Sequence, residues 1–480
     1  MVAPAPLTSP SPSRWLARAA KPTAALAAFA SGTQFDALDD RVRHAARRHF
    51  VDCLGACVGG LDQPLYRDAS ALVASLSGGG SVPVIGSAHT TDLLNAIYLM
   101  AVSCHAIELD DGNREGSIHP GTVIVPAVLG LGHHLGASGT DALAATVAGY
   151  EAAVSLAEIL HPHASKRGFQ TSGVVGVVGA AAAAGRLLGL DPLRMEKALG
   201  IAASSGAGLF AYLTGGGNIK KLHPAHAARE GVFAALLAMN EVVDGPLGVA
   251  EVPSGIFHAF GGLGPWTGTE DAVQPVVPAI ARSYTKPYPA CRHIHPAIDG
   301  LFQLQAQHGF SADAVTALEV GTYGAAMPHA ALGWESFTVA QLSFPYVMAV
   351  ALRTGRVDLA SFSEANRANA TLAADAAKVT VRLDDECAAG YPKQGPARVT
   401  VRLAGGRTLT TYVTDPKGCP ELPMSDAEIQ AKFRMSAAAR LPAAALDRAL
   451  SMAWNLETSA GVRALFDALS PSAPLKKATA

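Results

Sequence analysis

Residues 173–190 read GVVGVVGAAAAAGRLLGL. Glycine and alanine dominate, so little prevents a neighbouring helix from coming close. The stretch predicts a buried central helix. A phosphate-binding loop is the competing reading of so many glycines. It is disfavoured because both the G-x-G-x-x-G spacing and a closing Lys-Ser/Thr are missing. Asp191-Pro192 follows, an N-cap residue and a first-turn proline for the next helix.

Working outward, helical texture runs from about residue 22 to 266, with Ala, Leu and Val at three- and four-residue spacing. Within residues 35–60, Leu38, Val42, Ala45, Ala46 and Cys53 share one helix face, and Arg41, His44, Arg48 and Asp52 share the opposite flank. The texture changes after residue 277. Residues 315–324, 378–383 and 397–414 alternate with period two and carry β-branched side chains, with a hairpin turn at 404–407. Residues 296–307 and 338–354 read as helices between them. A capping box, Ser425 to Glu428, returns the chain to helix as far as about residue 469. The expected fold is mainly α. A large all-helical domain comprises residues 22–276 plus 421–470, a smaller α+β domain is inserted at 277–420, and loose tails occupy 1–21 and 471–480.

The 480 residues are too many for one ordinary domain, and 49% hydrophobic against 16% charged residues fill a large core. A net charge of −2 with no basic stripe argues against nucleic acid. The apolar stretches are broken by charges or proline below the roughly 20 residues needed to span a bilayer, so no membrane is expected. Six cysteines without a C-x-x-C pair read as reduced thiols, and residues 1–12 lack the pattern of a secretory signal. Both point to the cytoplasm.

Four polar clusters interrupt this apolar chain. Residues 105–122, HAIELDDGNREGSIHPGT, place Glu108, Asp110, Asp111 and His119 in a Gly/Asn/Ser/Pro loop between apolar helices. A solvated loop with capping aspartates is the plain alternative. A metal site is a third reading, but no second His/Cys group sits close by. Residues 161–172, HPHASKRGFQTS, set Lys166 and Arg167 before the glycine helix, where a positive pair suits a carboxylate. Residues 215–229, GGGNIKKLHPAHAAR, follow three glycines with Lys220, Lys221, His223 and His226. One lysine is expected to point inward and the other to solvent. Residues 286–299, KPYPACRHIHPAID, carry Tyr288, Cys291, Arg292, His293 and His295 on a proline-stiffened segment. A Cys291 nucleophile is disfavoured because neither an oxyanion loop nor an Asn/Asp orienter is evident.

In this order and spacing the clusters resemble the MmgE/PrpD family over residues 25–469. The carrying motifs are ELDDG…HPG at 108–121, RGFQTSGVVGVVGAAAAAGRLLGLD at 167–191, KKLHPAHAAREG at 220–231, KPYPACRHIHPAID at 286–299 and AQLSFPYVMAVAL at 340–352. The resemblance implies an inserted α+β lid domain, a homodimer, and neither cofactor nor metal. It implies Asp111, His119, Lys220 and His295 as catalytic residues lining a cleft. Asp110, Arg167, Gln170, Lys221, Tyr288, Cys291 and Arg292 would bind substrate. Many relatives carry histidine where Gln170 stands, which points away from the family's decarboxylases.

The implied chemistry is removal of a proton beside a carboxylate of a small di- or tricarboxylate. A positioned base, His119 or His295, would take the proton. Lys220 and Arg292 would hold the developing charge. The leading expectation is a hydro-lyase of the 2-methylcitrate dehydratase kind, in propionate catabolism. Decarboxylation of cis-aconitate and epimerisation of iminodisuccinate are the alternatives within the family. A non-catalytic carboxylate-binding or scaffold protein is the alternative of another class.

Overall fold

The structure is a computed structural model and describes residues 15–271 and 273–470. Of the tails expected at 1–21 and 471–480, residues 1–14 and 471–480 lie outside the described residues. The helices of the first part of the chain that position the site are α1 (Asp40–Gly59), α2 (Leu93–Ala106), α3 (Gly121–Leu135), α4 (Gly139–Leu160), α5 (Gly176–Leu187) and α6 (His223–Met239). The glycine stretch forms a short helix, Thr171–Val174, then α5, with Val175 between them. Residues 176–185 are all buried, and α5 packs against α3, α4 and α6. The close approach requires glycine. A methyl on Gly179 would stand 2.6 Å from Cβ of Ala153, and one on Gly231 of α6 would stand 2.4 Å from the carbonyl oxygen of Val177. The Asp191 side chain caps the helix Pro192–Ala203 by accepting from the Arg194 amide.

α1 buries Val42, Ala46 and Cys53, but its polar flank departs from expectation at Asp52. The second half of α1 is buried on every side, because the helix Asp426–Ala437 covers what would have been its wet face. Asp52 is therefore buried, and Nζ of Lys432 lies 2.6 Å from its carboxylate. The ammonium also donates to the Leu109 carbonyl at 2.6 Å. Residues 15–21 also depart from a loose tail. Trp15 and Leu16 are buried, and the Trp15 indole donates to Glu151 at 2.6 Å and to Ser155 at 3.1 Å.

α4 has 22 residues and is the one helix among the described residues long and apolar enough to cross a membrane by length and composition. The sequence reading had found no such stretch. Its apolar window is wholly buried within the protein.

The chain divides into two compact units, Met1–Phe210, Ile219–Ser283 and Ser425–Ala480 in the first, Ala211–Asn218 and Tyr284–Met424 in the second. The boundary thus falls after residue 283 rather than 276. Ala279 donates its amide to Glu151 at 2.6 Å and Arg282 pairs with Glu158, which ties residues 279–282 to α4. The glycines at 215–217 fall in the second unit.

The second unit holds a four-stranded sheet of β1 (Val315–Thr322), β2 (Val379–Leu383), β3 (Ala397–Leu403) and β4 (Thr408–Val413), in the order β2-β1-β3-β4. β1 runs parallel to β2, with Val320 opposite Val381, and antiparallel to β3, with Val320 opposite Val399. The hairpin β3–β4 turns at Gly405 and Gly406, both at positive φ. The helix His295–His308 packs on β3 and β4 and is itself covered by the helix Phe344–Thr354. The fold is mainly α with a small sheet-containing part.

Burial holds the Asp52 carboxyl above its usual range, against the pull of Lys432. Removing the cation by Lys432→Met should cost about 3 kcal/mol or more at neutral pH, since an unpaired buried charge remains. The loss should shrink as pH falls, because the neutral acid is the form that burial favours. Urea unfolding at several pH values checks both points. A small, pH-independent loss would contradict them.

Candidate active site

The loop between α2 and α3 enters the helical unit rather than the solvent. Asn113 and Ile118 exchange backbone hydrogen bonds at 2.8 and 3.2 Å. Ser172 accepts from the His119 amide at 3.0 Å, and the Thr171 hydroxyl donates to the Ser117 carbonyl. The residues ahead of α5 therefore hold this loop down. Glu108, Asp110 and Asp111 are all buried.

Each of the three carboxylates has its own cationic or imidazole partners. Glu108 receives Lys220, whose Nζ lies 2.5 Å from both carboxylate oxygens, and Lys221, 2.5 Å from Oε2. Both lysines are buried, which corrects the expectation of one inward and one outward. Glu108 adopts φ +55°, a left-handed conformation uncommon for a residue with a side chain. Burial pushes Lys221 down to about 8, with the Lys220 charge acting in the same direction and Glu108 opposing both.

Asp110 sits between two imidazoles. His105 Nδ1 is 3.0 Å from one oxygen, and His119 Nδ1 is 2.9 Å from the other. The rings are 5.1 Å apart. Burial lowers His105 to about 3, so it is neutral and donates from Nδ1. His119 also has the Asp111 carbonyl 2.8 Å from Nδ1, which leaves Nε2 as its nitrogen for chemistry. Its side chain is slightly exposed.

Asp111 is an anchor. It pairs with His49 Nδ1 at 2.7 Å and accepts from the Tyr150 hydroxyl and from the Gly121 amide at 2.9 Å. Gly121 must lack a side chain, because a Cβ there would stand 2.2 Å from Cys53 Sγ and 2.5 Å from Asp111 Oδ1. Burial and the Asp111 charge hold the Tyr150 hydroxyl well above its usual range. Asp111, implied to be catalytic, thus meets His119 only through its backbone carbonyl, and the carboxylate beside His119 is that of Asp110.

Gln170 is buried and accepts from His223 Nδ1 at 2.9 Å. Burial, then the His226 and Lys220 charges, bring His223 to about 4, so it too is neutral. Arg167 does not join this set. It is exposed and donates to the Ala259 carbonyl at 3.3 Å.

The second unit holds the remaining predicted residues. The Tyr288 hydroxyl donates to Asp299 at 2.7 Å. Arg292, expected to clamp a carboxylate, donates to the carbonyls of Lys417 at 2.8 Å and Pro416 at 3.1 Å, and stacks over Tyr284 at 4.6 Å. His295 lies 3.1 Å from Arg292 through Nδ1 and 3.1 Å from the Ala290 carbonyl through Nε2. Both ring nitrogens are engaged, so its geometry is that of a brace rather than a base. Cys291 Sγ is 3.7 Å from His329 Nε2. Lys286, which opens this motif, is fully buried.

Glu108 and His223 stood in the polar clusters of the sequence without their partners being legible, and His49, His105 and Tyr150 were not singled out there. A polar residue inside an apolar helix is the signal that could have found Tyr150 in α4 and His105 in α2.

Fold and site together define a two-unit, mainly helical protein with buried acid–base groups in its helical unit. The chain belongs to the MmgE/PrpD family: the MmgE/PrpD N-terminal domain matches residues 24–268 and the C-terminal domain matches 288–458. It is similar to a cis-aconitate decarboxylase-like protein, oryM, of Aspergillus oryzae, at 27% identity over 89% of this chain and 93% of the relative. It is 26% identical to a cis-aconitate decarboxylase of Aspergillus terreus, over 86% and 88% of the two chains. It is also 26% identical to the cis-aconitate decarboxylase of Homo sapiens, over 91% and 92%.

Because Glu108 supports the charge on Lys221, Glu108→Gln should move the lysine's titration below its midpoint of about 8. NMR of labelled lysine Nζ reads this directly. A midpoint in the ordinary lysine range, unmoved by the substitution, would contradict the placement.

Proposed function

We propose that the protein is a cofactor-independent lyase that decarboxylates a small tricarboxylate of the cis-aconitate kind, acting as a homodimer. The observation that carries this reading is the similarity, over nearly nine-tenths or more of both chains, to proteins named for cis-aconitate decarboxylation. It takes precedence over the dehydration of 2-methylcitrate expected from sequence, and over the objection raised at Gln170. Dehydration is the second outcome that the same assay reads.

The site chemistry suits the proposal. Lys220 and Lys221 put two buried ammonium groups at one point of the site, and an anionic ligand that reached them would meet positive charge. When a carboxylate departs as CO2, the bonding pair passes into conjugation with the neighbouring double bond and carboxylate. Lys220 and Lys221 would stabilise that charge, and a proton must then be supplied to carbon. His119, held at Nδ1 by Asp110 and the Asp111 carbonyl, would supply it from Nε2. In a dehydration or an epimerisation the same nitrogen would remove the proton instead. One set of groups would thus serve several products.

The full-length protein, incubated in D2O with a chelator and cis-aconitate, should release CO2 and place solvent deuterium in the product. His119→Ala and Lys220→Ala should each lower turnover by about a hundredfold or more with the fold intact. Loss of water from 2-methylcitrate without CO2 release from cis-aconitate would replace decarboxylation by dehydration. Binding of these acids without turnover or exchange would make the protein a non-catalytic carboxylate binder. Near-normal activity in both variants would remove the assigned roles.

A further inference from the structure

The proposed reaction leaves unused a sulfur–nitrogen cluster in the second unit. Cys291 precedes the turn Arg292–Ile294, and that turn packs against the turn Gly324–His329. The two turns bring Cys291, His293 and His329 together, with one potential ligand atom from each lying within 4.8 Å of the others. Cys291 Sγ and His329 Nε2 are 3.7 Å apart. Sulfur and nitrogen bound tetrahedrally to one zinc, at about 2.3 and 2.0–2.1 Å from the metal, stand about 3.6 Å from each other. The observed separation is therefore that of two ligands of one ion before any movement.

Both imidazoles are oriented from behind. His329 Nδ1 lies 3.1 Å from the Leu342 carbonyl, which puts the proton on Nδ1 and turns the Nε2 lone pair toward Cys291. His293 Nδ1 is 2.8 Å from the Tyr323 hydroxyl, and the Tyr323 ring is stacked on Tyr391 at 4.2 Å. Such outer hydrogen bonds fix tautomer and ring direction in histidine ligands. The Cys291 amide is itself fixed, donating to the Gln341 carbonyl at 2.8 Å. Cys291 and His329 are buried and His293 is half-buried, which gives a mixed sulfur–nitrogen set with one edge toward solvent.

We propose that Cys291, His293 and His329 bind one Zn2+ ion, through a thiolate and two neutral imidazoles. The fourth position is then open to water or to a carboxylate oxygen. As the sulfur–zinc bond forms, the thiol proton passes to solvent, and no group changes oxidation state. A thiol that only hydrogen-bonds to His329 would show the same 3.7 Å and hold no ion.

Cobalt separates the two cases. Chelator-stripped, full-length protein titrated with Co2+ should take up one equivalent and develop a thiolate-to-cobalt charge-transfer band with tetrahedral d–d bands. One equivalent of Zn2+ should bleach both. Cys291→Ser should abolish the charge-transfer band, and His329→Ala should weaken Co2+ binding at least about tenfold. X-ray absorption of the zinc-loaded wild-type protein should give one sulfur and two imidazole nitrogens, which reads the site without any variant. No charge-transfer band in the wild-type protein overturns the proposal. So does a band that survives Cys291→Ser, which would assign the thiolate to another cysteine.

Discussion

A carboxylate taken out of water must be neutralised where it stands, and Glu108 is the point at which this protein meets that requirement. Its side chain is buried, its backbone sits at φ +55°, and two lysines from a distant stretch converge on it. Desolvating three charges costs several kcal/mol per ion, repaid only by close geometry. The loop after α2 can therefore lie inward only if residues 220–221 lie against it. That single contact joins the acid motif to the lysine motif across 112 residues of chain.

The surrounding helices make such a site possible. Apart from Val177 and Val178, the buried part of α5 is glycine and alanine, so α3, α4 and α6 close around it and exclude water. The space kept open at Gly121 admits the Asp111 carboxylate between Cys53 and Tyr150. The neutral histidines follow from the same burial. His105 and His223 are kept uncharged by desolvation, so they serve as hydrogen-bond donors to Asp110 and Gln170. The positive charge of the site thereby falls to the lysines and, when it is protonated, to His119.

Much of this was legible in the sequence because local rules were obeyed locally. The alanine–glycine texture gave the buried helix, period-two alternation gave the strands, and Ser425 with Glu428 gave the return to helix. What escaped was decided by distant partners. Asp52 reads as a surface residue until the helix Asp426–Ala437 brings Lys432 to it. Trp15 reads as tail until Glu151 accepts its indole hydrogen. Two adjacent lysines read as one inside and one outside, because a charge cluster is usually solvated and this one is flanked by the apolar Leu222, Ala227 and Ala228. The residues Ile219–Leu222 instead form a 3-10 turn, and Glu108 offers an oxygen to each lysine. Arg292 and His295 were recognised as chemically capable, but sequence could not reveal that backbone carbonyls already occupy them.

The proposed reaction requires an anionic substrate to meet Lys220, Lys221 and His119 together. The most direct measurement is an experimental structure of the protein with a tricarboxylate that cannot react, such as tricarballylate. The account predicts one carboxylate within hydrogen-bond distance of Nζ of Lys220 or Lys221, and a carbon of the ligand facing Nε2 of His119. A ligand bound elsewhere, with both lysines left on Glu108, would contradict it.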